Sequence, residues 1–397
     1  MKLKNGPLVA LIIVLSVFAP ISTDMYLSAL PDMMVHFSTN ESVMNMTLYG
    51  FLLSLTVSSL FIGPISDKYG RRPVLIVSMF LYMIMSVLCA FTDDIIVMIV
   101  LRIVQAIGGG GAMVVSIALI KDCFEPSRIG SIMTVVTAIG VIGPVLAPII
   151  GTALTELSDW RSTFIAPAVI SAICLVTASI MDETLDDGMR YTGSVIGSVR
   201  GLSEPLKDHD FFRFLIISTI FNLPFLGYIG VSSYIYQIMF GVSDVTYSIM
   251  LAVTILTAIC IMLVIRRIQA CMVSSSSMML FLAIAISGCI LLLSVASMNE
   301  YLFLISVLPV AVLVTTIRPF GFDILMAQHE GDNGSVSSLL NFCTFGFGVI
   351  GMAVCSLRWD SFITGIAVMM LIATSVFAVS WYVMKRSPSR LKGLEDI

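Results

Sequence analysis

The chain has 397 residues, 58% of them hydrophobic and 12% charged, with a net charge of -4 and a mean hydropathy of +1.03. Soluble domains carry about 25% charged residues, and a soluble globule could not hide this much apolar surface, so the composition implies a multi-pass membrane protein. The eight cysteines lie in apolar runs or inner loops, with no pair at metal-ligand spacing and none in a long outer loop, which reads as buried structural thiols.

A membrane-crossing helix needs about 20 apolar residues. The sequence supplies twelve such runs: 7–31, 43–66, 74–92, 95–120, 129–155, 162–181, 211–237, 245–265, 277–298, 301–325, 335–357 and 361–384. The first follows Lys2 and Lys4 as a signal peptide would, but it is too long, lacks a small-residue cleavage site and contains Asp24, so it reads as a retained span. Lys and Arg set the orientation. Lys2, Lys4, Lys68, Arg71, Arg72, Lys121, Arg128, Arg190, Arg200, Lys207, Arg213, Arg266, Arg267, Lys385, Arg386, Arg390 and Lys392 fall on one side, against Arg161 and Arg358 on the other. Basic loops stay on the cytoplasmic side, which puts both termini there.

The longest polar segment, 182–210, separates an N-terminal half, 1–181, from a C-terminal half, 211–397. The expected fold is an all-α membrane protein of twelve helices in two pseudo-symmetric six-helix bundles, with a site between them near the midplane. No nucleotide-binding loop, zinc pattern or nucleophile motif is present. No enzyme activity, metal, cofactor or nucleic-acid partner is therefore expected.

Four stretches carry chemistry. The first is Asp24, inside span 1 in Ser22-Thr23-Asp24-Met25-Tyr26. Intramembrane carboxylates are rare and usually functional, and burial favours the neutral acid, a property needed to load and release a proton near neutrality. The second is Arg102 in span 4, eight residues past Asp94 and hence about 12 Å from the outer face. Its depth matches that of Asp24, and buried charges at one depth pair or share a polar cavity. The third is the turn Gly63-Pro64-Ile65-Ser66-Asp67-Lys68-Tyr69-Gly70-Arg71-Arg72-Pro73 between spans 2 and 3. Gly70 permits a backbone geometry closed to other residues, and Pro73 suits the first turn of the next helix. Two carboxylates, Asp67 and Asp122, can share the donors of Arg71. The fourth is span 5, where Gly140, Gly143, Pro144, Pro148 and Gly151 allow close helix approach and bend the helix.

These motifs resemble those of the major facilitator superfamily. Gly63, Asp67, Gly70, Arg71 and Arg72 stand at the key positions of its span 2–3 signature, with Lys68 where Arg is commoner. Arg102-Ile-Val-Gln105-Ala-Ile-Gly108 is similar to its span 4 motif, which implies a proton-coupling role for Arg102 and Gln105. Residues 140–151 resemble the span 5 motif of its proton-driven drug exporters, with Ala147-Pro148 where many members have Gly-Gly. Residues 22–31, 225–243 and 159–161 resemble the bicyclomycin-resistance/chloramphenicol-efflux branch. In the superfamily the acid at Asp67 also faces the start of span 11, here 332–335, which implies an inner-face latch. Span 10 departs from the branch with Arg318 and Asp323, and Arg318 in the cavity would imply a more polar or anionic substrate.

The resemblance implies a proton-coupled multidrug exporter of the bacterial cytoplasmic membrane, monomeric, with small amphipathic molecules, protons and lipid as its partners. Tyr26, Met46, Tyr49, Tyr228, Tyr234, Gln237 and Arg318 are the expected substrate-cavity residues. A transporter of one polar metabolite and a non-transporting receptor remain alternatives.

Overall fold

The computed structural model describes residues 5–202, 205–269, 274–328, 333–357 and 359–386, and is helical without strands among them. It divides into two compact units, Met1–Val199 and Arg200–Ile397. The first unit holds α1 (Asn5–Ser16), α2 (Phe18–Asp24), α3 (Leu30–His36), α4 (Glu41–Met44), α5 (Met46–Tyr69), α6 (Arg71–Phe91), α7 (Ile95–Cys123), α8 (Pro126–Leu157) and α9 (Ser162–Ile180), with the short α10 (Val195–Gly201) at the boundary. The second holds α11 (His209–Thr219), α12 (Asn222–Ser233), a π-helical turn over Tyr234–Met239, α13 (Asp244–Gln269), α14 (Ser274–Ser294), α15 (Glu300–Gln328), α16 (Asn333–Cys355) and α17 (Phe362–Lys385).

Among the described residues, ten helices are long and apolar enough to cross a membrane, where the sequence led us to expect twelve. The first expected span is divided. Val17, at φ -96° and ψ 4°, interrupts it between α1 and α2, and a turn over 25–29 separates α2 from α3. Pro20, which has no N–H to give, sits three residues past the first break. The fifth run forms the 32-residue α8, of which Ile142–Leu157 is the described apolar stretch.

Helix starts are marked by side chains that satisfy otherwise unpaired N–H groups. Asp94 accepts from Ile96 and Val97 at 2.7 and 3.1 Å at the head of α7. Asp208 does the same for Asp210 and Phe211 at the head of α11, at 2.9 and 3.3 Å. In the first unit α7 is the central helix, packed on both α5 and α6. Its run Gly108-Gly109-Gly110-Gly111 makes this possible: a Cβ at Gly108 or Gly111 would strike Ser78 on α6, and one at Gly110 would lie 2.6 Å from Ser58 Oγ on α5.

The two units repeat one close contact. A Cβ at Gly151 of α8 would overlap the carbonyl of Met25, just past α2, and a Cβ at Gly351 of α16 would overlap the carbonyl of Leu223 in α12. In each case a glycine on the fifth long segment of its unit lies against the backbone of a broken first segment. At Gly346 nothing lies within 4 Å of an added Cβ. Gly151→Val and Gly351→Val are expected to cost about 1–3 kcal/mol each through overpacking, and Gly346→Ala less than ~0.5 kcal/mol. Unfolding midpoints of the detergent-solubilised variants check this; equal midpoints for all three would disprove the contact.

Candidate functional site

The first unit buries one guanidinium completely. Arg102 is 1% exposed. Its Nη1 donates to Gln105 Oε1 at 2.7 Å and its Nη2 to the Ser22 carbonyl at 3.1 Å. The acceptor on span 1 exists because the helix is broken. Ser22 lies in the last turn of α2, where carbonyls lack intrahelical partners and carry the negative end of the helix dipole. Three aromatic faces complete the enclosure, with Phe51, Tyr26 and Phe164 ring centroids 4.2, 4.6 and 5.7 Å from the Arg102 carbon. Such faces attract a cation most strongly when water is excluded.

A chain of polar groups holds this arrangement. Gln105 Nε2 donates to Ser86 Oγ at 2.5 Å, and Ser86 donates to the Tyr82 carbonyl at 2.8 Å. The Tyr82 hydroxyl meets Ser22 Oγ, which also donates to the Phe18 carbonyl at 2.8 Å. Spans 1, 3 and 4 are thus tied around one cation.

The expected pairing of Asp24 with Arg102 is not formed. Asp24 is half-buried, and its Oδ1 accepts from Thr23 Oγ1 at 3.0 Å. Among the described residues no ion pair joins it to Arg102, and Arg102 Nε, though buried, has no acceptor. Backbone and amide oxygens meet the guanidinium first, an option that depth along a helix could not reveal.

The expected cavity residues scatter. Tyr26, Tyr228 and Tyr234 are 1%, 0% and 1% exposed, so they pack inside their own units instead of opening to a cavity. Tyr26 donates or accepts a 3.2 Å bond with Thr47, Tyr228 lies 5.9 Å from Phe303, and Tyr234 lies 6.0 Å from Phe362. Gln237, half-buried, donates to Asp244 at 3.0 Å. Tyr49 is half-buried, and Met46 is 38% exposed. Arg318 is exposed and donates to Asn341, while Asp323 pairs with Arg266 at 3.6 Å. On span 5, Gly143 and Pro144 are half-buried, Pro148 and Gly151 are buried, and Gly140 lies within α8. Trp160 and Arg161 form a cluster at the head of α9 in which Arg161 reaches Asp159 and Asp93, each at 3.2 Å.

The span 2–3 turn converges as a unit. Gly70, at φ 106°, ends α5 and begins α6. Arg71 donates through Nε to Asp122 at 2.8 Å, through Nη1 to Ser66 at 2.8 Å, and to Asp67. Gly63 leaves Val114 at an ordinary contact of 3.8 Å. Arg72 donates to the Ser179 carbonyl at 2.7 Å. The expected contact of Asp67 with 332–335 falls in part on residue 332, which lies outside the described residues.

Glu183, read from the sequence only as one charge in a mixed polar segment, is central to this turn. It accepts from the backbone N–H of Arg71 and Arg72 at 2.9 and 3.2 Å, and from those of Thr184 and Leu185 at 2.9 and 3.1 Å. It thereby caps α6 from the far end of the unit. A Cβ at Gly70 would collide with its carboxylate. Tyr191 N–H donates to the Asp67 carbonyl at 2.9 Å, so Glu183 and Tyr191 of the expected linker both dock on the turn.

Helices of this length and hydropathy, a small-residue fifth segment and this charged turn describe a multi-pass membrane protein. Residues 12–352 match the family model described as Major Facilitator Superfamily, and the chain belongs to that superfamily; it is a transporter, not an enzyme. It is 27% identical over 226 residues to the uncharacterised MFS-type transporter YdgK of Bacillus subtilis, covering 56% of each chain. It is 29% identical over 214 residues to the multidrug resistance protein MdtL of Salmonella paratyphi C, covering 54% of each. The chain thus spans about half the length of the curated relatives it matches. Its fold is similar to that of a bacterial homologue of the human lysosomal transporter Spinster, with a TM-score of 0.76 and 12% identity over 98% of this chain and 100% of the other. The xylose transporter XylE from E. coli gives 0.70 and 13% over 98% and 99%. At these identities the structural likenesses concern the fold.

Removing the Glu183 cap is expected to cost about 1–2 kcal/mol, the usual loss when a carboxylate or hydroxyl leaves a helix N-terminus. Glu183→Ala and Gly70→Ala should each lower the unfolding midpoint. The double variant should cost less than their sum, because the added Cβ no longer meets a carboxylate. Strict additivity in a double-mutant cycle would refute the contact.

Proposed function

We propose that this protein is a proton-coupled exporter of small amphipathic compounds in the bacterial cytoplasmic membrane, working by alternating access, with Asp24 as the proton carrier. The observation that carries the reading is the buried Arg102. It has a donor to spare, and its second acceptor is the carbonyl of Ser22, two residues from Asp24. The similarity to proteins named for multidrug resistance supports the drug-export part of the reading.

The proposed cycle follows from competition for one cation. With a proton on its carboxyl, Asp24 needs no positive partner, and Arg102 rests on Gln105 and the end of α2. Loss of that proton leaves a carboxylate with a demand for donors, and Arg102, bonded to Ser22 two residues away in sequence, has an unused Nε to offer. Moving the guanidinium toward Asp24 weakens its hold on Ser22 and shifts α2 against α7. A ligand or proton can bias the two states only by its difference in interaction energy between them. Gln105 positions Arg102, and Tyr82, Ser86 and Ser22 position Gln105 and the helix end. In the same reading, Arg71, Asp67 and Asp122 hold spans 2, 3 and 4 together at the inner face.

In proteoliposomes, Asp24→Asn is expected to abolish proton-gradient-driven efflux while substrate still binds. Normal gradient-driven transport by that variant would remove Asp24 from the mechanism. Arg102→Lys should slow transport about tenfold or more, since each hydrogen bond to a charged group is worth roughly 1.5–3 kcal/mol and an ammonium lacks the planar fork. Arg102→Ala should be slower still; wild-type rates for Arg102→Ala would overturn the role of the buried cation.

A further inference from the structure

We infer that Arg318 and Asn341 form an anion-recognising site in the second unit, so that the compounds handled best carry a carboxylate, sulfonate or phosphate group. The inference rests on the export reading above for its substrate, but its evidence is separate and comes from the other unit.

Arg318 lies eighteen residues from the outer end of α15 at Glu300 and ten from the inner end at Gln328. At 1.5 Å per residue these are about 27 and 15 Å, within a hydrocarbon layer about 30 Å thick. A cation at that depth is not tolerated against lipid tails; it faces protein or a water-filled interior. The helix itself shows which. Tyr301 and Ile305, 63% and 47% exposed, mark the outward face of α15. By helical geometry Arg318 points about 100–140° away from them. It falls instead within about 20° of Val307 and Ala311, which are 0% and 1% exposed. Arg318 is exposed on a helix face that is buried further along. That combination describes a water-accessible interior surface, not a lipid contact.

The hydrogen-bond inventory then fixes the kind of ligand. Arg318 Nη2 donates to Asn341 Oδ1 on α16 at 2.7 Å. No other partner of the guanidinium is found among the described residues, and the nearest acid in sequence, Asp323, is engaged with Arg266. A guanidinium has five N–H donors and no acceptor, and the amide whose oxygen it engages adds two N–H donors of its own. Donors therefore dominate what the pair presents. The complement of such a site is an acceptor-only group of negative charge, which Arg grips in planar, bidentate fashion. Thr344, three residues past Asn341 and 3% exposed, adds a hydroxyl with no protein partner.

The anionic group can belong to a soluble compound or to a lipid headgroup, and the test separates them. The full chain is purified into vesicles of phosphatidylcholine alone, and into vesicles that also contain phosphatidylglycerol. Binding of a fluorescent naphthalene sulfonate is compared with that of its neutral sulfonamide. In phosphatidylcholine the sulfonate is expected to bind at least tenfold more tightly. Arg318→Gln should bring the ratio close to one, Arg318→Lys should retain part of it, and Asn341→Asp, which supplies an internal carboxylate and keeps the cation, should also reduce it. Unfolding midpoints establish that each variant is folded. A wild-type ratio near one, or a ratio that survives both Arg318→Gln and Asn341→Asp, overturns the site. A ratio absent in phosphatidylcholine, with an Arg318-dependent response to phosphatidylglycerol only, assigns the cation to lipid and overturns the substrate claim. Binding is read without a proton gradient, so failure of proton-driven export and failure of anion recognition are separate results.

Discussion

A bundle in lipid has no water with which to satisfy buried polar groups, so each must find its partners inside the protein. Arg102 shows how far this constraint reaches. In a continuous first helix every interior backbone oxygen would already accept from the N–H four residues on. The break that divides α1, α2 and α3 leaves the Ser22 carbonyl open at the end of α2, and that oxygen takes one side of the guanidinium. Gln105, one turn along α7, takes another, and three aromatic faces enclose the rest. The irregular backbone of span 1 and the buried cation of span 4 are therefore one feature seen from two helices.

The close approach of glycines follows from the same break. Helices in a bilayer associate through packing and hydrogen bonds and not through a hydrophobic drive, and a non-helical segment can be held only by a neighbour that comes very near. Gly151 supplies that neighbour for the turn after α2, and Gly351 lies equally close to the first turn of α12. Each leaves no room for even a methyl group, so the irregular segment moves only together with the helix that carries the glycine, or by opening the contact. A transporter needs segments that are ordered in each state yet have two arrangements, and a backbone break clasped by a glycine meets both requirements.

How much of this was legible in the sequence depends on the kind of information each part needs. The charged turn was legible because Asp67, Gly70, Arg71 and Arg72 are local, polar and set between apolar runs. Asp122, fifty-one residues past Arg71, was reachable by counting to the inner end of span 4. Arg102 stood out because such residues are costly in a span, and Gln105 through the resemblance of its motif. The partner of Arg102 did not, since a backbone carbonyl has no letter in the sequence. Glu183 was hidden for the opposite reason: an acid among other acids in a polar segment carries no mark of the two N–H groups it caps. Tyr26, Tyr228 and Tyr234 were expected at a cavity because aromatic residues suit one, but hydropathy does not say which face of a wholly apolar helix is the inner one. The first and fifth runs were read by length alone, and length does not register a turn such as that over 25–29.

The two mid-span arginines differ in a way that separates their roles. Arg102 is 1% exposed, and its surroundings are fixed by Gln105, Ser22 and aromatic rings, so nothing from outside the protein can reach it without rearranging the bundle. A cation so placed responds to changes in the protein's own charge, and in the proposed cycle that change is the proton on Asp24. Arg318 is exposed, with a single amide as partner, and responds to whatever enters. If the substrate is anionic, its arrival neutralises a charge in the second unit, just as loss of a proton from Asp24 creates one in the first. Export of an anion against uptake of protons then moves charge in a defined direction across the membrane. The affinity at Arg318 must also stay modest, since a fully desolvated ion pair would hold its ligand too tightly to release it. One amide partner and an exposed side chain keep the guanidinium within that range.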